Sequence, residues 1–372
     1  MNQQAPFRTT HEPTSARQTE PRVDNRPLAR LILLALAAAI VLLAIALTLC
    51  FLALSQKDPS LPYDPDRIPA EGDQSGQNDP PVSAGRGAVA TVPSRSDYTI
   101  KNRSDYQTLS GVQTQYAVLV DLDSYTAIAG KGTDVRVCPA SMTKVMTVLV
   151  VAENLKSLDD RLVFTADVIN ESLKSDGSGL KALWTEGYEL SVEDLMYLAF
   201  MQSDTAACKT LANYIAGSEE AFAELMNKKA REIGMHDTVF SNSTGLSIKG
   251  ETYYSTCRDI AMLMAYALDN PLANRVLTAT DWTMKRSYAP ISDRVQVKPT
   301  WLTERLGNAT LETVTVKGGK TGYETAPGAC LVSYATSNSR HGAYVLVVVG
   351  GDRLSASQST KDVKYIYNTY AG

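Results

Sequence analysis

Residues 31–54, LILLALAAAIVLLAIALTLCFLAL, run for 24 positions without a charge and with one polar side chain, Thr48. A helix needs about 20 predominantly apolar residues to cross a bilayer, so this stretch predicts a membrane span. A secretory signal has a shorter apolar core, roughly 7–15 residues, followed by small residues at a cleavage site. The length of the run and the polar arm before it favour an uncleaved anchor. Arg8, Arg17, Arg22, Arg26 and Arg30 precede the span, whereas Lys57 and then Asp58, Asp64, Asp66, Glu71 and Asp73 follow it. Positive flanks stay cytoplasmic. The expectation is a single-pass protein of the cell membrane, with its N-terminus inside and everything after residue 54 outside.

That span divides the chain. Residues 1–30 are polar, with scattered prolines and arginines, and read as a disordered cytoplasmic arm. Residues 55–110 contain SLPYDPDRIPAEGDQSGQNDPPVSAGRG; such a mixture of Pro, Gly, Ser, Asp and Gln cannot bury a core and reads as a linker. Residues 111–372 carry the folded domain. A net charge of −4 and the lack of any Lys/Arg run interleaved with aromatics exclude a nucleic-acid partner. Cys138, Cys208, Cys257 and Cys330 sit in apolar or helical contexts without framework spacing and read as free buried thiols. No Cys-x-x-Cys or His-Glu-x-x-His pattern predicts zinc.

Within the domain, QYAVLVDLDSYTAIAGKG reads as a hairpin turning at Asp123 and Ser124. A helix over 141–155 is apolar on almost every side, as a central buried helix must be. A second begins at LSVEDLMYLAFMQ, where Ser191 and Asp194 resemble a capping box. Others are predicted at TAACKTLANYIA, EEAFAELMNKKAREIG and CRDIAMLMAYAL. The chain then returns to two β-rich runs, GACLVSYATSNSRHGAYVLVVVGG, and closes on a helix, STKDVKYIYNTYA. Strands at both ends with helices between them predict an α/β (α+β) domain. Its sheet is built from both termini and is largely antiparallel.

The opening helix also poses a chemical question. Ser141 stands at its mouth in PASMTKVMTVLV, and a serine hydroxyl needs a proton acceptor before it can attack a carbonyl. The chain has three histidines, and none has a suitable setting: His11 precedes the span, His236 follows a helix end and His341 lies at a predicted hairpin tip. Lys144 does have one, because residues i and i+3 share a helix face. A lysine at its usual pKa of about 10.4 is protonated at neutral pH. It becomes a base only through burial or a second cation nearby.

The rest of the sequence supplies that cation. Ser203 lies in MQSDTAA between two helices, and Lys320, Thr321 and Gly322 lie in VKGGKTGYE before the strand pair. Ser-x-x-Lys, a second serine and Lys-Thr-Gly, in that order, form the motif set of penicillin-recognising serine enzymes. The chain resembles the D-alanyl-D-alanine carboxypeptidases, the low-molecular-mass penicillin-binding proteins. The likeness runs through PASMTKVMT, LSVEDLMYLAF, FSNSTGL, YYSTCRDIA and GGKTGYETAPGACLVSYA, over about residues 111–370.

The resemblance implies a β-lactamase/DD-peptidase-like fold, no cofactor, and peptidoglycan stem peptides ending in D-Ala-D-Ala as substrate. It implies Ser141 as nucleophile, Lys144 as its base and Ser203 as a proton relay to the leaving D-alanine. Lys320 and Thr321 would hold the substrate carboxylate, and Gly322 would allow close backbone approach. The N–H groups of Ser141 and Tyr323 would form the oxyanion hole, and β-lactams would acylate the same serine. One position departs from the family: Thr205 stands where asparagine is usual, and it is taken as a working substitute in substrate binding. Two other readings remain: a β-lactam- or peptidoglycan-binding sensor with slow turnover, and a β-lactamase. The second is disfavoured because the region lacks a Glu-x-x-Leu-Asn segment.

Overall fold

A computed structural model describes residues 97–175, 177–247, 252–285, 295–324, 327–351 and 354–371. The arm, the apolar stretch 31–54 and most of the linker lie outside the described residues. Among the described residues no helix is long and apolar enough to cross a membrane.

The elements follow in chain order. Strands β1 (Lys101–Thr108), β2 (Tyr116–Asp121) and β3 (Thr126–Lys131) lead through a tight turn, Ala140–Thr143, into α1 (Lys144–Asn154). Then come β4 (Arg161–Val163), α2 (Ala166–Lys174), β5 (Glu189–Ser191), α3 (Val192–Met201), α4 (Thr205–Ala216), α5 (Glu219–Ile233), α6 (Cys257–Asp269) and α7 (Pro271–Leu277). The short strands β6 (Trp282–Thr283) and β7 (Gln296–Val297) precede a single wide helical turn, Trp301–Leu306. The chain ends with β8 (Val314–Glu324), β9 (Gly328–Ser337), β10 (Ala343–Val349) and α8 (Ala356–Tyr370).

The main sheet has the order β1-β3-β2-β10-β9-β8 and joins both ends of the domain, as expected. Every neighbouring pair is antiparallel except β1 with β3. The β2–β3 turn forms because the Asp121 carboxylate accepts the N–H groups of Asp123 and Ser124, a local bond that replaces a ladder partner. Alternate side chains of a strand point to opposite faces, and here both faces are covered. Val345, Val347 and Val349 of β10 join the helices' core, whereas Tyr344, Leu346 and Val348 pack with Val363, Ile366 and Tyr367 of α8. The near-continuous apolar run of β10 is thus a strand buried on both sides. On the helical side α1 is central, with every residue from Lys144 to Ala152 buried. The four cysteines of the described part are free, and three of them are buried.

Two boundaries differ from the sequence reading. The folded part begins ahead of residue 111, because β1 lies within the stretch read as linker. Its own side chains are mostly exposed, so it shows little apolar alternation. The anchors lie around it: Tyr98, Ile100 and Leu109 are buried, the Tyr98 hydroxyl donates to Asp269, and Arg258 donates to the Ile100 carbonyl. The second difference is that Lys320–Gly322 lie inside edge strand β8 and not ahead of the strand pair. Ile100→Ala is expected to cost about 2–5 kcal/mol in denaturant unfolding, the usual range for emptying a buried isoleucine site. A tether residue would show no change.

Candidate active site

The site forms where the start of α1, the α3–α4 break, edge strand β8 and the 241–247 loop meet. The turn before α1 carries Ala140 at φ 47°, a left-handed conformation rare for a residue with a Cβ. It sets Ser141 at the mouth of the helix. Between α3 and α4 the chain reverses within a few residues, and Ser203 takes φ 56° to do so. Non-glycine residues held this way concentrate at functional sites.

These two strained turns bring three side chains together. The Lys144 amine lies 3.0 Å from Ser141 Oγ, and the Ser203 hydroxyl donates to the same oxygen at 3.0 Å. Lys144 is fully buried, and its amine also donates to the Thr244 carbonyl at 2.7 Å. Burial lowers its pKa from the ordinary value. Cys208 and Asp204 lie near enough to oppose that shift. However, burial pushes the Cys208 thiol up to about 12, so it is neutral at physiological pH. The Asp204 carboxylate is committed elsewhere, to the N–H groups of Leu180 and Ala207 and the indole of Trp184. It caps α4, and no hydrogen bond joins it to Lys144.

Lys320 is buried as well, with its amine donating to the Thr321 carbonyl at 2.7 Å. Burial holds its pKa well below the lysine value, and the charge of Lys144 lowers it further. The Thr321 hydroxyl pairs with that of Thr300 at 2.6 Å. A Cβ on Gly322 would come within 3.2 Å of the Ser141 nitrogen, so the β8 backbone runs directly against the Ser141 N–H. Tyr323 follows on the strand and is exposed. Thr205 is the one predicted residue that the structure does not join to the others. It is fully buried as the first residue of α4, its hydroxyl makes no hydrogen bond, and it lies against Gly177.

The sequence reading missed the floor of the site. The Asn242 side-chain oxygen accepts three bonds, from the N–H groups of Thr244 and Gly245 and from the Thr244 hydroxyl. Glu219 accepts from the backbone N–H and the hydroxyl of Ser243. Together they aim the Thr244 carbonyl at Lys144. The only signal in the sequence was the turn-rich SNSTG itself. Arg305 was also unread. It donates to the Cys330 carbonyl and to Ser359, and its charge further opposes protonation of Lys320.

The site thus joins a half-buried serine to a fully buried lysine, with a second serine and a second buried lysine close by. The D-alanyl-D-alanine carboxypeptidase family model matches residues 102–353. The chain belongs to this family. It is 30% identical over 260 residues to D-alanyl-D-alanine carboxypeptidase DacF of Bacillus subtilis, covering 69% of this chain and 63% of that one. It therefore spans about three-fifths of that relative's length. Among solved structures, a variant of the Streptomyces K15 DD-transpeptidase superposes with a TM-score of 0.61 at 22% identity, over 70% of this chain and 98% of that one. Penicillin-binding protein D2 of Listeria monocytogenes, in its ampicillin-bound form, gives a TM-score of 0.57 at 20% identity, over 71% and 99%. At these identities the structural matches show the fold.

Gly245 provides a test of how tightly the floor fits. A Cβ there would lie 2.0 Å from the Ala140 carbonyl oxygen, and φ is +74°. Gly217 has φ +83° with nothing within 4 Å of the added atom. Gly217→Ala is expected to cost about 1–2 kcal/mol from conformation alone. Gly245→Ala is expected to cost more than about 4 kcal/mol or to abolish folding, as a backbone collision in the core does. Denaturant titration of the pair checks this.

Proposed function

We propose that this chain is a serine-type D-Ala-D-Ala carboxypeptidase that trims peptidoglycan stem peptides on the outer face of the cell membrane. The observation that carries the reading is the position of Ser141 Oγ, 3.0 Å from both the Lys144 amine and the Ser203 hydroxyl. Lys144, kept neutral by burial, accepts the Ser141 proton as the oxygen attacks the carbonyl of the terminal D-Ala-D-Ala bond. The carbonyl oxygen becomes an oxyanion and is met by the N–H groups of Ser141 and Tyr323; losing one such donor typically costs roughly 10²–10³ in rate. Collapse breaks the C–N bond. The proton passes through Ser203 to the departing amine, and D-alanine leaves an acyl-enzyme that water hydrolyses. Lys320 and Thr321 hold the free carboxylate, and β-lactams acylate the same serine.

The apolar stretch 31–54, with arginines before it and acidic residues after it, supports the membrane anchor and the external placement. One observation favours a second reading, a β-lactam- or stem-peptide-binding sensor with slow turnover. The Thr205 hydroxyl does not join the catalytic group, so the position where relatives carry asparagine offers no amide to substrate.

Two experiments test the reading. Intact-mass measurement after penicillin treatment is expected to show one adduct on wild type and none on Ser141→Ala; adduct on both would overturn the nucleophile. Release of D-alanine from a pentapeptide supports the enzyme, whereas a stable adduct without release supports the sensor.

The acylation rate at saturating penicillin is expected to rise with pH to a plateau. A lowered lysine pKa means that the neutral base is present above that pKa and is lost as pH falls through it, so the midpoint lies below 10.5. Where the ligand's carboxylate favours a proton on Lys320, that charge opposes one on Lys144, so Lys320→Met is expected to move the midpoint upward. Lys144→Ala is expected to lower the rate by about 10²–10⁴, the usual contribution of a general base. A rate independent of pH would rule out Lys144.

A further inference from the structure

We infer that Thr300 is a positioning residue for the substrate's terminal carboxylate, acting through the Thr321 hydroxyl. This inference rests on the carboxypeptidase reading above and concerns the same site. Three observations lead to it. The two hydroxyl oxygens lie 2.6 Å apart, although the residues are separated by a helical turn and a strand entry. Thr300 immediately precedes the helical turn Trp301–Leu306 with helical backbone angles, φ −61° and ψ −30°, and its side chain makes no capping bond to that turn. Its oxygen is turned to Thr321. Finally, the segment carrying it is fixed on both sides. Pro299 and Trp301 are buried, and the Gln202 amide, next to Ser203, donates to the Lys298 carbonyl at 2.8 Å. The chain from Lys298 to Thr300 therefore ties the Ser203 bend to strand β8.

A hydroxyl has a single proton and rotates freely about its C–O bond. If Thr321 donated to Thr300, it would present only lone pairs to an incoming carboxylate and would repel it. If Thr300 donates to Thr321, the Thr321 proton is left to point at the anion, and the relay polarises the second bond. Thr300 can do this because, among the described contacts, its hydroxyl proton is committed to no other acceptor. A carboxylate beside Lys320 would select the second arrangement, since only it supplies a donor. Thr300 thus sets the direction of the hydroxyl that the motif supplies, and it does so without touching the scissile bond.

The test is a double-mutant cycle on the full chain, read as steady-state release of D-alanine and as the rate of penicillin acylation. Thr300→Val keeps the shape and removes the donor. It is expected to raise KM, or the penicillin concentration for half-maximal acylation, roughly tenfold, the scale of one hydrogen bond serving a charged group. The maximal rate should stay within about twofold. Thr300→Ser is expected to restore wild-type values. Thr300→Val added to Thr321→Val should cause no further loss, because the relay is already broken. Unfolding curves of each variant, with Thr300→Ala alongside, separate this from instability. An active wild type with Thr300→Val unchanged, or with losses that simply multiply in the double variant, overturns the inference and leaves the carboxypeptidase reading intact. A folded wild type that neither releases D-alanine nor takes up penicillin overturns both.

Discussion

The structure depends on one buried amine. Lys144 sits in the middle of the domain with no carboxylate bonded to it, and an ammonium in such a place would carry a heavy desolvation penalty. Burial therefore favours the neutral form, and the surrounding residues are arranged to keep that form in place. The Thr244 carbonyl takes one amine proton, and Ser141 lies at hydrogen-bond distance on the other side. The carbonyl is aimed by Asn242, Asn242 works only because Gly245 lets the loop touch the Ala140 carbonyl, and Glu219 secures Ser243 next to it. Thr147, on the same helix as Lys144, donates to the Ser243 carbonyl at 2.6 Å and fixes the loop from the other side. A carboxylate within bonding reach would undo all of this by holding the amine protonated. Asp204, the nearest candidate, is kept away by three hydrogen bonds to the 180–184 turn and to its own helix.

A second consequence concerns Lys320. Two amines that are both buried and close to each other cannot both carry a charge cheaply, and each lowers the other's tendency to protonate. In the proposed reaction the substrate's carboxylate arrives on the Lys320 side, beside Thr321. An anion there favours a proton on Lys320, and a charged Lys320 disfavours one on Lys144. Substrate binding would therefore place the positive charge where it attracts the substrate and withdraw it from where a base is needed. The same coupling would discriminate against ligands that lack the carboxylate, through the protonation of Lys144 as well as through lost contacts.

Much of this architecture was legible in the sequence, and the failures have physical reasons. The helices declared themselves by apolar periodicity and by caps such as Ser191, whose hydroxyl does accept the Asp194 N–H. Both hairpins were readable from apolar runs around short polar turns, and the three catalytic motifs from residue type and order. Strand β1 was hidden because it is an edge strand with few inward side chains; its anchoring residues flank it instead of alternating within it. The Gly-Gly-Lys-Thr-Gly stretch was placed ahead of the strand pair because glycine is depleted in strands, whereas here it lies within β8 and the missing Cβ of Gly322 lets the strand approach Ser141. Thr205 was read by position in a motif, and only the path of α4 shows that its hydroxyl faces Gly177. Contacts such as Lys144 to Thr244, or Thr300 to Thr321, join segments whose association no local pattern encodes.

The histidines show why the site needs a lysine at all. Both described histidines, His236 and His341, are exposed and take no part in the site. A histidine base usually relies on a buried acid to orient and charge-balance it, and such an acid within reach of Lys144 would pair with the amine and hold it protonated. A lysine used as a neutral base has the opposite requirement: a dry, cation-rich setting without a bonded carboxylate. Helix α1 supplies the dryness, being buried from Lys144 to Ala152, and Arg305 adds positive charge that acts on Lys320. The same features that make the helix central to the core thus favour the neutral amine on which the proposed reaction relies, so the position of Lys144 cannot be changed without disturbing the packing of the domain.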